Sequence, residues 1–258
     1  MNDLLQAMAG VGWTSAAIAF VVFLRVGAAM AALPVLGEQL VPARVRLALA
    51  LSLTAIVAPA VADPVSPLTT STARLLFCLA SETMIGLSLG IVLRLFVLAL
   101  EIAGTMAAQA SSLSQLFGSG GAPMPTISHI LLWGGLAFAV MAGLHVRFVE
   151  VLILSYDALP PGSLPDADLV RGWSLGHIGR AFSLAFSLAA PFAIAALIYN
   201  IALGVINRAM PQLMVAFVGA PALAAGALCL LVVAVPFGLM LWLAAFEGFL
   251  NSPFGAPR

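Results

Sequence analysis

The stretch that decides the fold is Asn207-Arg208-Ala209-Met210-Pro211-Gln212, which lies between two long runs of uncharged residues. The run before it covers residues 181–207, which are 27 residues, and the run after it covers residues 209–246, which are 38 residues. About 20 apolar residues are enough for a helix to cross the hydrocarbon core of a bilayer. A charge, two amides and a helix-breaking proline between such runs therefore predict a shaped connection between two membrane-compatible helices.

The composition excludes a water-soluble globular protein. Hydrophobic residues make up 63% of the 258-residue chain and charged residues only 8%, and the mean hydropathy is +1.15. So few polar side chains cannot cover the surface of a soluble domain of this length. The formal net charge is zero, so no nucleic acid or acidic partner is implied. The composition predicts an integral membrane protein of the all-α class.

The uninterrupted apolar stretches predict about six helical segments. Their predicted limits are residues 12–33, 44–62, 74–103, 127–156, 178–207 and 213–249. The third and sixth segments are longer than a vertical span requires, because 37 residues of helix measure roughly 55 Å. We expect either that Pro221 and Pro236 break the last segment or that these helices are not ordinary spans.

Four ionisable residues fall inside the apolar segments, namely Arg25, Glu82, Arg94 and Glu101. An unpaired charge at mid-membrane costs at least ~2.5 to 3.5 kcal/mol, so these side chains are expected to face protein or water. Arg94 and Glu101 are seven residues apart, about two turns, and share a helical face that leads to Gln109. Two interpretations stay open: a proton or ion relay, and polar packing contacts between helices or subunits.

Gly86 and Gly90 form a small-xxx-small pair one turn after Glu82. Such pairs let two helix backbones approach closely. We therefore expect tight helix packing on this face of the third segment.

The stretch 111–128 departs from the helical pattern, because it is rich in serine, glycine and proline. It also carries four apolar side chains, Leu113, Leu116, Phe117 and Met124. Irregular backbone at membrane depth is tolerated only where it is buried in protein or lines a cavity. At that depth the stretch would be a candidate channel plug, because apolar constrictions can block by dewetting. The alternative is an ordinary external loop.

The sequence offers no set of residues for catalysis or for metal binding. The three histidines, His129, His145 and His177, are scattered and lack ligand partners at i,i+4 spacing. There is no glycine-rich phosphate loop, no nucleophile elbow and no paired-acid constellation. We expect no cofactor, no metal and no enzymatic activity.

Four blocks of residues, in order along the chain, match one known family. The first is Leu24-Arg25-Val26, Pro34 and Val41-Pro42-Ala43-Arg44-Val45-Arg46-Leu47. The second is Glu82, Ile85, Gly86, Gly90, Glu101, Ala103, Gly104 and Gln109. The third is Gly143-Leu144-His145 with Leu159-Pro160-Pro161-Gly162. The fourth and most specific is Asn200, Leu203, Gly204, Asn207, Arg208, Pro211 and Gln212, followed by Phe217, Gly219 and Pro221.

In these blocks the chain resembles the R subunit of the flagellar type III export gate, the FliR family, whose counterpart in virulence injectisomes is the T subunit. The resemblance implies a non-catalytic channel component whose helices form hairpins in a helical hetero-oligomer. It implies one R subunit with five P and four Q subunits, a B subunit around the base, and transient contact with unfolded rod, hook and filament proteins. It also implies contact with membrane lipid and none with nucleic acid.

The same resemblance implies a place in the cell and a role for individual residues. The place is the bacterial inner membrane, within the flagellar basal body, with residues 1–258 forming one integral membrane domain and no separate soluble domain. The residues expected to form buried polar assembly contacts are Arg25, Glu82, Arg94, Glu101, Gln109, Asn207, Arg208 and Gln212. The expected channel plug is Leu113, Leu116, Phe117 and Met124, and the expected hairpin breaks are Pro34, Pro42, Pro211 and Pro221.

The alternative function is a secondary transporter for a small solute that uses the intramembrane arginine and glutamate residues. Transporters typically carry an inverted repeat and paired broken helices. The sequence has no convincing repeat, and the region around Pro221 has no obvious mate. An intramembrane enzyme is a weaker alternative, because the catalytic set is missing.

Overall fold

The long apolar runs of the sequence fold as helices. The structure, a computed structural model, describes residues 2–34, 41–110, 126–209 and 215–255. Its α-helices are α1 Asn2–Ala32, α2 Ala43–Ala60, α3 Ala62–Val65, α4 Thr72–Ala110, α5 Thr126–Met141, α6 Leu144–Ala158, α7 Ala167–Ala209 and α8 Val215–Asn251. A 3-10 helix, Ser66–Thr70, connects α3 to α4.

The predicted all-α class is confirmed, since no strand occurs in the described ranges. Five helices are long and apolar enough to cross a membrane, and a sixth span results if α5 and α6 together count as one. The predicted number of about six apolar segments is therefore confirmed as well.

The fourth predicted segment, residues 127–156, is not one helix as expected. It is interrupted between α5 and α6, where Gly143 has a φ of 79°. This left-handed conformation is open to glycine without the clash that a Cβ atom would cause. The sequence pattern did not reveal the interruption, because apolar residues continue on both sides of it.

Of the two alternatives for the last segment, the break at Pro221 and Pro236 is wrong, and with it the expected hairpin break at Pro221. Both prolines lie inside α8, which continues for 37 residues, and α7 likewise contains Pro191 within its 43 residues. A proline removes one backbone hydrogen bond but does not have to end an apolar helix, because neighbouring groups can satisfy the released carbonyl.

The other expected break positions lie at or beyond helix ends. Helix α1 ends at Ala32, two residues before Pro34. Helix α2 begins directly after Pro42, whose carbonyl accepts the amide of Val45 at 3.0 Å. Pro211 lies outside the described residues.

The chain divides into two compact units, and each is assembled from separate stretches of sequence. The first unit takes its described residues from 1–95, 143–177 and 249–258, and the second from 96–142 and 178–248. Neither unit is continuous in sequence. The expectation of a single domain over the whole chain stays a prediction.

In the first unit, α1 packs closely against α4 through glycines of α4. A Cβ atom at Gly86 would collide with the carbonyl of Arg25, and one at Gly90 with the carbonyl of Ala29. The absence of a side chain at both positions therefore allows the two backbones to touch. This contact confirms the close approach that the small-xxx-small spacing predicted.

The second unit is centred on aromatic side chains of α8. The indole of Trp242 donates a hydrogen bond to the Phe96 carbonyl at 2.8 Å. The ring of Trp242 stacks on that of Phe246 at 5.1 Å between centroids, and Phe96 meets Phe246 edge-on. Helices α4 and α5 also approach closely here, where Gly104 lies against the backbone of Ser128. The Ser128 hydroxyl donates to the Glu101 carbonyl at 2.8 Å.

We predict that Gly90→Leu destabilises the purified chain in detergent, because the added side chain would separate α1 from α4. Overpacking of this kind costs roughly 1 to 3 kcal/mol, and the loss is measured as a lower midpoint of thermal unfolding. The matched control is Gly172→Leu on α7, where a side chain meets open space. Equal midpoints for the two variants would refute the tight α1–α4 contact.

Candidate functional site

A buried ion pair joins α1 to α4 in the first unit. The Nε of Arg25 donates to Oε2 of Glu82 at 2.7 Å, and its Nη2 donates to Oε1 at 3.1 Å. Both side chains have no solvent-exposed surface. The two parallel bonds form the bidentate arrangement that makes an arginine–carboxylate pair both strong and directional.

Two further donors of Arg25 are used by α6 and by the residue that follows it. Nη1 donates to the Ser155 hydroxyl at 2.9 Å, and Nη2 also donates to the Leu159 carbonyl at 3.0 Å. The guanidinium carbon lies 3.8 Å from the ring centroid of Tyr156. Stacking on an aromatic ring in a site without water adds attraction to the cation. Arg25 therefore holds α1, α4 and α6 together.

The connection from α6 to α7 is attached to the same ion pair through Gly162. Its amide donates to Oε1 of Glu82 at 3.2 Å, and its φ is 68°. A Cβ atom at this position would lie 3.0 Å from Leu68 and 3.3 Å from the sulfur of Cys78. The backbone conformation therefore favours glycine, and a side chain here would also displace Leu68 or Cys78 by a few tenths of an ångström.

This arrangement is chemically suited to fixing the register of helices. A buried ion pair contributes stability only when further hydrogen bonds satisfy its other donors and acceptors. Ser155, Leu159 and Gly162 supply those bonds from within the same chain. Inside the first unit Arg25 and Glu82 contact each other, because helix packing buries both. Their expected part in contacts between hairpins and neighbouring subunits stays a prediction.

The other predicted polar residues do not join this cluster. Arg94 and Glu101 are each partly buried on α4, whereas Gln109 at its end is exposed. Asn207 and Arg208 are exposed in the last turn of α7. Gln212 and the predicted plug residues Leu113, Leu116, Phe117 and Met124 lie outside the described residues. Within the described ranges, no group of three metal-ligating side chains occurs.

Sequence reasoning missed four contributors to the cluster: Ser155, Tyr156, the Leu159 carbonyl and Gly162. The sequence contained a signal for two of them, because Ser155 and Tyr156 place a hydroxyl next to a phenol at the end of the apolar run 127–156. The role of a backbone carbonyl and a backbone amide carries no side-chain signal. Only the tertiary fold brings residues 25, 82 and 159 together.

The fold and the site define a class of protein: a polytopic membrane protein in which buried polar groups hold helices in register. Residues 16–249 match the family model described as bacterial export proteins, family 1. The match covers most of the chain, and the chain belongs to this family.

Three relatives are flagellar biosynthetic proteins. The chain is 31% identical to flagellar biosynthetic protein FliR of Caulobacter vibrioides over 241 residues, which cover 91% of this chain and 94% of the relative. It is 32% identical to the protein of the same name from Aquifex aeolicus, with 79% of each chain covered. It is 28% identical to that of Escherichia coli, with 77% of this chain and 76% of the relative covered. The family and these relatives make the chain a membrane component of the flagellar export apparatus.

We predict that Glu82→Ala destabilises the chain strongly, because it leaves the Arg25 guanidinium buried without its counter-ion. Removing one partner of a buried ion pair costs about 3 to 5 kcal/mol. The measurement is the free energy of unfolding in mixed micelles. The control is Glu150→Ala, which removes a partner of the exposed Arg147 and is expected to cost less than about 1 kcal/mol.

The double variant Arg25→Met with Glu82→Met tests the cause of the effect. Removing both charges leaves no buried unpaired ion, so the double variant is expected to be more stable than Glu82→Ala. A double variant as unstable as the single one would show that the charge pair is not what the single substitution disrupts.

Proposed function

We propose that this chain is a structural, non-catalytic subunit of the flagellar export gate. It assembles with P and Q subunits in the ratio of one to five to four and contacts a B subunit. The assembly forms the channel in the bacterial inner membrane, within the basal body, through which unfolded rod, hook and filament proteins leave. Membership of the export family and the flagellar names of the relatives support this proposal.

The observation that carries the proposal is the uncovered apolar surface of the chain. In the most apolar 18-residue stretch of α8 only 17% of the residues are buried inside the chain. In the most apolar stretch of α4 the buried share is 50%. Large side chains on α8 such as Val232, Phe237 and Met240 are more than 60% exposed. A chain that leaves this much apolar helix uncovered needs lipid or other subunits around it.

The buried cluster favours a packing role over a relay or a solute site. Arg25 and Glu82 are both engaged by groups of the same chain, which leaves their charges compensated. A transporter site would need such groups to be available to a solute. Arg94 and Glu101, which are partly buried, are the residues for which a contact with other subunits remains part of the proposal.

The stretch around Leu116 and Phe117 is proposed to help close the channel at rest. The support is its composition: apolar side chains on a backbone rich in serine, glycine and proline. A constriction of apolar side chains excludes water and therefore ions without any covalent change.

The proposed assembly is tested by co-expression with P and Q subunits and native mass spectrometry. We expect one copy of this chain in each complex. Glu101→Ala is expected to reduce the incorporated fraction, because it removes a polar contact between helices. Failure of the wild-type chain to incorporate would overturn the proposal, and normal assembly of Glu101→Ala without export would favour the relay.

The proposed plug is tested by deleting residues 114–122. We expect the resting membrane to become permeable to small ions, because the apolar constriction is lost. The measurement is ion flux into vesicles that contain the assembled complex, with wild-type complex at equal density as the control. Unchanged flux in assembled complexes would rule out the plug.

A further inference from the structure

The end of α7 carries an exposed polar face in the second, largely apolar half of the helix. Asn200, Gly204 and Asn207 lie within about 60° of one another around the helix axis, and Arg208 lies beside them. All four are exposed, and we name them the amide face. In the described part of the chain no hydrogen bond is made by the side chains of Asn200, Asn207 or Arg208.

Two glycines of α4 and one of α7 differ in what surrounds them. Gly86 and Gly90 each lie where another helix backbone is in contact, whereas a Cβ atom at Gly204 meets nothing within 4 Å. Glycine in a helix interior costs about 1 kcal/mol relative to alanine and is retained where a backbone must come close. Gly204 therefore leaves the backbone of α7 open on this face and permits the close approach of a partner helix.

The amides distinguish a protein partner from lipid. Asn200 lies nine residues before the end of α7, about 14 Å along the axis. Acyl chains offer no hydrogen-bond groups, so this amide favours contact with another polypeptide over contact with lipid. Arg208 adds a positive charge at the end of the same face, which an acidic side chain on the partner would complement.

From these features we infer that the amide face is the docking site for a helix of another subunit of the export apparatus. That helix is apolar, has a small residue opposite Gly204, hydrogen-bonding side chains opposite the amides and an acid near Arg208. This inference rests on the proposed function, because it requires a hetero-oligomer. The inference assigns the contact with another subunit to one surface of this chain, the amide face of α7.

Substitutions to leucine separate this inference from exposure to lipid, because the two predict opposite results. Asn200→Leu is expected to lower the fraction of chain incorporated into the complex by about threefold, the effect of losing one interhelical hydrogen bond. Gly204→Leu is expected to lower it by about tenfold or more, because it blocks close approach. A face in contact with lipid would tolerate both changes or improve.

The matched control is Val205→Leu, the next residue of the helix, which is 64% exposed and about 120° away from the amide face. Normal incorporation of all three variants would overturn the inference while leaving the proposed function intact. Failure of wild-type chain to assemble would overturn both.

A photo-crosslinking residue identifies the molecule that contacts the amide face, and its result does not depend on a change in folding. It is placed at Leu197, which is 60% exposed on the side of the amide face, and in a second protein at Ile198, which is 63% exposed on the other side. The inference expects an adduct with a different subunit of the purified complex from position 197 and not from position 198. An adduct with lipid alone, or between two copies of this chain, would overturn it.

Discussion

The bond between Arg25 and Glu82 is the constraint on which the first unit depends. Glu82, Gly86 and Gly90 are spaced four residues apart, so they form one stripe on α4. The groups they meet on α1, Arg25 and Ala29, are also four residues apart. The ion pair and the backbone contact are therefore parts of one interface between α1 and α4. The glycines permit the approach, and the charges allow only one register of the two helices.

Polar groups in this chain fall into two sets that differ in where they are satisfied. The first set, around Glu82, is buried and obtains its hydrogen bonds from the same chain. The second set, Asn200, Asn207 and Arg208, is exposed on the half of α7 that has few other polar groups. Because an apolar environment makes every unsatisfied polar group costly, the first set serves folding of the subunit and the second points to assembly.

The sequence predicted the helices well and the site only in part. Runs such as 178–207 are long enough to identify a helix by hydropathy alone, and α7 contains that run. The interruption at Gly143 was missed, because a left-handed residue leaves no trace in hydropathy. Arg25 and Glu82 were recognised as residues that need partners, but not as partners of each other. The two residues are 57 positions apart in the sequence. Their contact, like the position of the backbone groups of the site, arises from tertiary packing, which leaves no periodic pattern in the sequence.

The length of α8 decides how its surface can be covered. Residues 215–246 carry no charge and measure about 48 Å as a helix. Even at a tilt of 40°, the upper end of the usual range, about 37 Å of this length would cross a hydrocarbon core of about 30 Å. Lipid alone would leave apolar helix in contact with water at one end or both. The exposed side chains on α8, Phe237 among them, thus require protein cover over part of its length, which agrees with a subunit that completes its fold in a larger assembly.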